Sequence, residues 1–239
     1  MLGVNKKGEL ELISADPTPQ TLYLANDEGY LNAEDNLNNF CYDLYGQGQY
    51  ATGARSLKVE DIDKLAKYDK TTYSGYGVKW QYKGDSTKDK IQYSTDEGKT
   101  WADTNKTTFR LPNETTAISK SNPGTKELEY TYYDYDIANN ITTEDGYTSE
   151  EATDISNMII KNQQWLASHC AGCNSTTASF SVGTVYGNYV DFYTMFIAYG
   201  FFHSYNCSVR PVVSLEADVQ ITGTGDNIGS ASNEWQLSK

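Results

Sequence analysis

The residues read as an α+β protein built as a single domain. Segments with a helical period and segments that alternate apolar and polar residues occupy separate stretches of the chain. The 239 residues are enough for one large domain or two small ones. No internal repeat interrupts that organisation.

Taken in order, "GELELISA" (8–15) and "TLYLA" (21–25) are expected strands around the proline-containing turn "DPTP". The clearest helix follows in "NAEDNLNNFCYDLYG" (32–46). There Leu37, Phe40, Cys41 and Leu44 recur at helical spacing, Asn32 is placed to cap the start, and Gly46 ends it. Cys41 lies on that apolar face and reads as a buried structural thiol. A second helix, "SLKVEDIDKLAKY" (56–68), carries Val59, Ile62, Leu65 and Ala66 on one side.

From 71 to about 135 the character changes to Tyr, Thr, Gly and Asp, and 71–145 reads as a β-rich insert within the same domain. "YGVKWQYKG" (76–84) and "KIQYSTDEGKTWAD" (90–103) alternate as hairpin strands do, and "YTYYDYDIANN" (130–140) is expected to be extended. Within the second, "STDEGKTW" fits the turn pattern that recurs several times in a sialidase propeller. A single copy here predicts a hairpin turn. A capping box, Thr148-x-x-Glu151, then opens a helix through Ile155, Met158 and Ile159 that leads into "NQQWLAS".

Charge limits the partners. The net charge is −13 and the pI about 4.5. A nucleic-acid binder needs a basic face that displaces counterions, so nucleic acid is excluded as a partner; anionic membrane surfaces are disfavoured for the same reason. The longest apolar run, "MFIAYGFF" (195–202), is far below the roughly 20 residues of a membrane helix. The N-terminus lacks an apolar signal region, which fits a cytosolic chain or one whose anchor was removed. Four cysteines, Cys41, Cys170, Cys173 and Cys207, are too few and too unevenly spaced for a disulfide framework.

The most informative stretch is 168–208. These 41 residues contain no Lys, Glu, Gln or Trp and one Met, Met195, while ten are Tyr or Phe. Elsewhere those five missing or rare types fill 45 of 198 positions, so about nine belong in a window of this length. A codon whose third base is fixed as a pyrimidine encodes none of the five, so the tract has the signature of randomised Asn codons. A regular frame persists beneath it. Phe180, Val182, Val185, Val190, Met195, Val209, Val212 and Leu215 are expected to form the inner face of a small sheet. Ser179, Ser181, Gly183, Tyr186, Asn188, Tyr189, Asp191, Phe192, Tyr193, Thr194, Phe196, Ile197, Tyr199, Phe201, Phe202, His203, Tyr205 and Asn206 follow no period. They are expected on the opposite face or on exposed loops.

"WLAS" (165–168), this Tyr/Asn/Ser/Gly-rich tract and the closing "SVRPVVSL" (208–215) resemble the variable proteins of diversity-generating retroelements, of the type common in gut Firmicutes and their phages. "GELELISADPTPQTLYL", "LNAEDNLNNFCYDLYG" and "ARSLKVEDI" are similar to the constant part of the same proteins. The likeness covers roughly 1–65 and 160–220 and leaves out the insert. It implies a C-type-lectin-like fold of the formylglycine-generating-enzyme-like subclass, two helices with small antiparallel sheets, in which a strand around Arg210 closes the domain. It also implies a binding protein at a cell or virion surface, outside the cytoplasm. Its partner would be a protein or other ligand on a target cell, met through the eighteen aperiodic residues, with no cofactor and no metal.

The residue types favour binding on their own account. Tyr and Phe give large contact areas with few rotatable bonds, and Ser, Gly and Asn give adaptable hydrogen bonds. Tyr189, Tyr193, Tyr199, Phe201 and Phe202 are the expected anchors. Competing chemistry is thinner. Cys170-x-x-Cys173 suits a redox pair, or a zinc site with His169, His203 or Cys207, but a lone C-x-x-C is a weak metal signal. A formylglycine-generating oxidoreductase on the same fold, and a virion or pilus component whose aromatics serve assembly, are the alternatives. The "EPN", "QPD" and "WND" tripeptides of calcium-dependent sugar binding are missing from the sequence. "DID" (61–63) and "DYD" (134–136) lack the other oxygen ligands of a calcium loop. Both histidines lie inside the variable tract, so no fixed His-based catalytic set is expected.

Overall fold

The computed structural model describes residues 2–66, 78–84, 90–96, 98–105, 109–112, 114, 116–128, 135–136, 148–159, 162–173, 175–187, 189–223 and 236–239. Its architecture is α+β, with small sheets and few helices.

The first sheet joins the two ends of the domain. Strands β1 (Gly3–Val4) and β2 (Leu10–Ile13) come from the N-terminal segment; β4 (Ala51–Ser56) and β15 (Pro211–Leu215) complete the order β1-β2-β15-β4. β15 runs antiparallel to both neighbours, with Leu215 opposite Leu10 on one side and Val212 opposite Arg55 on the other. Everything between β4 and β15 is therefore one long excursion from a closed base.

The helices expected from the apolar spacing in 32–46 and 56–68 both form. α2 (Ala33–Tyr45) buries Ala33, Leu37 and Cys41, and α3 (Val59–Ala66) buries Val59, Ile62 and Leu65. The N-terminus of α3 is doubly capped. Asp61 accepts from the backbone N–H of Lys58 at 2.9 Å, and the Ser168 hydroxyl accepts from Val59 at 3.0 Å. Two expectations for α2 are corrected. Leu44 is exposed, although it keeps the helical spacing of Leu37 and Cys41. Asn32 makes no side-chain cap; it is the hinge from a short α1 (Asn26–Leu31), its N–H bonding Glu28 while its carbonyl receives Asn36.

The insert supplies β5 (Val78–Tyr82), β6 (Ile91–Ser94), β7 (Ala102–Asp103) and β8 (Thr125–Leu128), ordered β7-β6-β5-β8. It shares the main core. Trp80, Ile91, Phe109, Leu111 and Ile118 are buried in one cluster with Phe180, Phe196 and Ala198, and the Trp80 and Phe180 rings lie 5.7 Å apart. The "STDEGKTW" turn closes as expected: Asp96 accepts from the backbone N–H and hydroxyl of Thr100 at 2.8 and 2.6 Å, and Gly98 takes φ +90. These bonds hold the Asp96 carboxyl down to about 2. Most of 129–147, including Asp134 of "DYD", lies outside the described residues; only β9 (Tyr135–Asp136) is placed.

The helix begun after Thr148 is α4 (Ser149–Ile159), which buries Ala152, Ser156 and Ile159; the side chains of Glu151, Ile155 and Met158 lie outside the described set. It leads to the large sheet. β10 (Gln164–Cys173) is central, with β11 (Ala178–Tyr186), β12 (Tyr189–Ile197) and β13 (Phe201–Phe202) on one side and β14 (Ser204–Val209) and β3 (Thr21–Ala25) on the other. A terminal hairpin, β16 (Gln220–Thr222) with β17 (Gln236–Ser238), follows the base. Among the described residues no helix is long and apolar enough to cross a membrane.

Candidate functional site

The aromatic tract forms β11 to β14, and its frame lies inside. Phe180, Val182, Val185, Val190, Met195, Val209, Val212 and Leu215 are all buried, as their spacing predicts. The sheet is not one-sided, however. One face of β11 packs on α1, α2 and the insert through Phe180 and Val182, and the other packs under α3. Ser181 and Gly183, expected outside, are therefore buried on that second face. A Cβ added at Gly183 would stand 3.1 Å from Leu166 Cβ and 3.3 Å from the Ser168 carbonyl of β10, a crowded position that suits glycine, while Val59 of α3 at 3.4 Å would be an ordinary contact.

Phe196, expected outside, is also buried. Phe180 pairs with Phe196 but the next residue, Ser181, pairs with Thr194, so Met195 is the extra residue of a β-bulge. The bulge breaks strict alternation and turns both Met195 and Phe196 inward. Phe196 stacks on Phe180 at 5.7 Å and is fully buried.

The remaining residues divide by position. Tyr186 (57% exposed), Tyr199 (38%), Phe201 (61%) and Phe202 (47%) are large and apolar yet face water, together with Asp191, His203 and Asn206. Ser179, Phe192, Tyr193, Thr194, Ile197 and Tyr205 are half-buried. Asn188 lies outside the described residues, and Tyr189 is placed only by its backbone in β12.

Two aromatic groups result. The first sits at the β12–β13 turn, where Gly200 adopts φ +102 and donates to Ile197. Tyr199 meets Phe201 edge-on at 5.5 Å, and Phe202 lies 5.4 Å from the buried Phe196. The insert contributes Arg110, whose guanidinium stands 4.8 Å over Phe196 and 5.7 Å over Phe202 while pairing with Asp27 at 3.3 Å. Its backbone N–H also bonds Ala198 at 2.8 Å.

The second group rests on Trp165. Tyr193 and Tyr205 meet at 4.5 Å above it, at 5.9 and 6.4 Å from the indole. Tyr186 extends the row from Tyr193 at 6.5 Å, and His203 extends it from Tyr205 at 6.2 Å. Gln163 donates to the Tyr193 hydroxyl at 2.5 Å. Burial, then Cys207, Tyr186, Asp191 and Tyr205, push that phenol up to about 12, so it stays protonated at any physiological pH. Tyr23, exposed and in register with Asn206 across β3 and β14, lies with it on the opposite face of the sheet from Tyr205. Arg110, Gln163 and Tyr23 lie outside the compositional window, and nothing in the sequence marks them.

The cysteines and histidines do not converge. Neighbouring strand residues point to opposite faces, so His169 and Cys170 are turned apart. His169 is half-buried against the Tyr30 ring and its Nε2–H donates to the Tyr30 carbonyl at 2.5 Å; desolvation lowers its pKa. Cys41, Cys170 and Cys207 are free thiols, and burial raises them to about 12, 12 and 11. Such thiols carry almost no nucleophilic thiolate. The Cys173 side chain lies outside the described residues. Among those described, no three His, Cys, Asp or Glu side chains are grouped to hold a metal.

Comparison with family models, with curated proteins and with solved structures finds no match to this chain.

Proposed function

We propose that this chain is a non-enzymatic binding protein of a cell or virion surface. In this reading it has a C-type-lectin-like fold and presents a face that a retroelement diversifies. One observation carries the reading. Within a single tract free of Lys, Glu and Gln, the periodic residues are buried, while Tyr186, Tyr199, Phe201 and Phe202 face water beside Asp191, His203 and Asn206. Tyr199, Phe201 and Phe202 cluster at the β12–β13 turn and Tyr186 stands at the β11–β12 hairpin; exposed apolar clusters of this kind mark interaction surfaces.

The closure of the base supports the fold assignment. β2 pairs with β15, Arg210 leads into β15, and two helices flank sheets whose last strands carry the tract. The oxidoreductase alternative gains nothing from Cys41, Cys170 and Cys207, whose thiols are buried and protonated.

The face is tested in the DNA. Deep sequencing of the coding region in cells with an active retroelement should find amino-acid changes at Tyr186, Asp191, Tyr199, Phe201, Phe202, His203 and Asn206. The codons of Val182, Val185, Val190 and Met195 should stay constant. Changes spread evenly over both groups would refute the reading.

A further inference from the structure

We infer that the wedge between Tyr186 and Tyr193 binds the guanidinium of an arginine presented by a partner protein. This rests on the binding-face reading above. The register of β11 and β12 sets Val182 opposite Tyr193, Thr184 opposite Asp191 and Tyr186 opposite Tyr189. Tyr186, Asp191 and Tyr193 thus share one face at successive positions. The rings of Tyr186 and Tyr193 are inclined at 50° with centroids 6.5 Å apart, which makes a wedge and not a stack.

One wall of the wedge is rigid. Tyr193 is held by Gln163 at its hydroxyl, by Tyr205 at 4.5 Å and by the edge-on Trp165 at 5.9 Å. The other wall, Tyr186, is mostly exposed. Between them in sequence lies the exposed Asp191. Its Oδ1 accepts from the Phe192 N–H at 2.7 Å, and it has no ion pair among the described residues. No Lys or Arg occurs from 162 to 209, so the tract does not neutralise this carboxylate, and the −13 charge of the chain steers cations toward the protein.

A cation is favoured over the face of a phenol, and a carboxylate beside that face adds an ion pair. Arginine fits better than lysine. Its planar group stacks on one ring while its edge donates to Asp191, whereas an ammonium is a compact, strongly hydrated point charge. Tyr205 and the exposed His203 continue the row from Tyr193 and add the aromatic surface that protein interfaces favour, which argues for a protein as the source of that arginine.

The test is an NMR titration of the full chain with N-acetyl-arginine methylamide, followed at the tyrosine rings. Citrulline methylamide, which keeps the shape and loses the charge, is the control. Saturable shifts of Tyr186 and Tyr193 are expected with arginine. Binding should be roughly tenfold weaker with citrulline, and about fivefold weaker with arginine when Asp191→Asn is introduced. Equal response to citrulline, stronger binding of the lysine or tetramethylammonium counterpart, or no saturable shift would overturn the assignment. If arginine fails while the coding changes still map to outward residues, the arginine alone is lost. If those changes do not map outward, the face itself is lost, whatever the titration gives.

Discussion

Phe196→Ser is expected to destabilise the protein by about 4 kcal/mol, while Phe202→Ser, six residues later in the same tract, should cost less than about 1 kcal/mol. Urea denaturation of the two variants measures the difference. Phe196 is fully buried. Its ring stacks on Phe180, touches Phe202, and lies under Arg110, so removing it opens a cavity and places a hydroxyl among apolar atoms. Phe202 keeps nearly half of its surface in water, and its main tie is to Phe196 and the Arg110 guanidinium. The contrast separates frame from face at two residues of the same type. Similar losses at both would mean that the outer ring is as structural as the inner one.

Arg210→Ala should be comparably damaging, by about 3–5 kcal/mol, read as a fall in the urea midpoint. Arg210 is fully buried at the point where β14 passes into β15. It donates Nε–H to Gln164 Oε1 at 2.8 Å and Nη1–H to the carbonyls of Ser14 and Ala15, each at 2.8 Å. These bonds tie the base sheet, the N-terminal segment and central strand β10 together. Gln164 in turn donates to Ile159 at the end of α4, so one guanidinium organises the junction of four elements. Burial lowers Arg210 to about 10, which leaves it charged at neutral pH. Alanine would leave the buried Gln164 amide oxygen and the carbonyls of Ser14 and Ala15 without their donor, and the unmet buried oxygen adds to the loss of the attraction itself. Arg210→Lys should recover part of the loss, because one ammonium reaches fewer of the three oxygens than the guanidinium fork does.

Much of this was readable before any coordinates. Helical spacing identifies Leu37 and Cys41 in α2 and Val59, Ile62 and Leu65 in α3, and all five are buried. Alternation identifies Phe180 and Val182, because the side-chain period of a strand is fixed by its pleat; Val185 and Val190, out of step with them, are buried on the opposite face. The failures have physical causes. A bulge at Met195 shifts the period by one residue and carries Phe196 inside, and Met in a bulge gives no local signal of the kind a glycine would. Ser181 and Gly183 look solvent-facing because they are small and polar or bare. They are buried because α3 packs on the second face of β11. Leu44 keeps helical spacing but lies beyond the reach of the core. Arg110 and Gln163 reach the aromatic groups from distant sequence, through contacts that only the tertiary structure brings about.

The face and the frame can be separated in one experiment. Two display libraries of the full chain would carry NNY codons, one at Tyr186, Asp191, Tyr199, Phe201, Phe202, His203 and Asn206, the other at Phe180, Val182, Val185, Val190, Met195 and Phe196. Survival of a protease challenge reports folding. Most members of the first library should survive at close to the parent level, and few of the second. If the first library is digested as readily as the second, those outward rings hold the fold together and are not a replaceable binding surface.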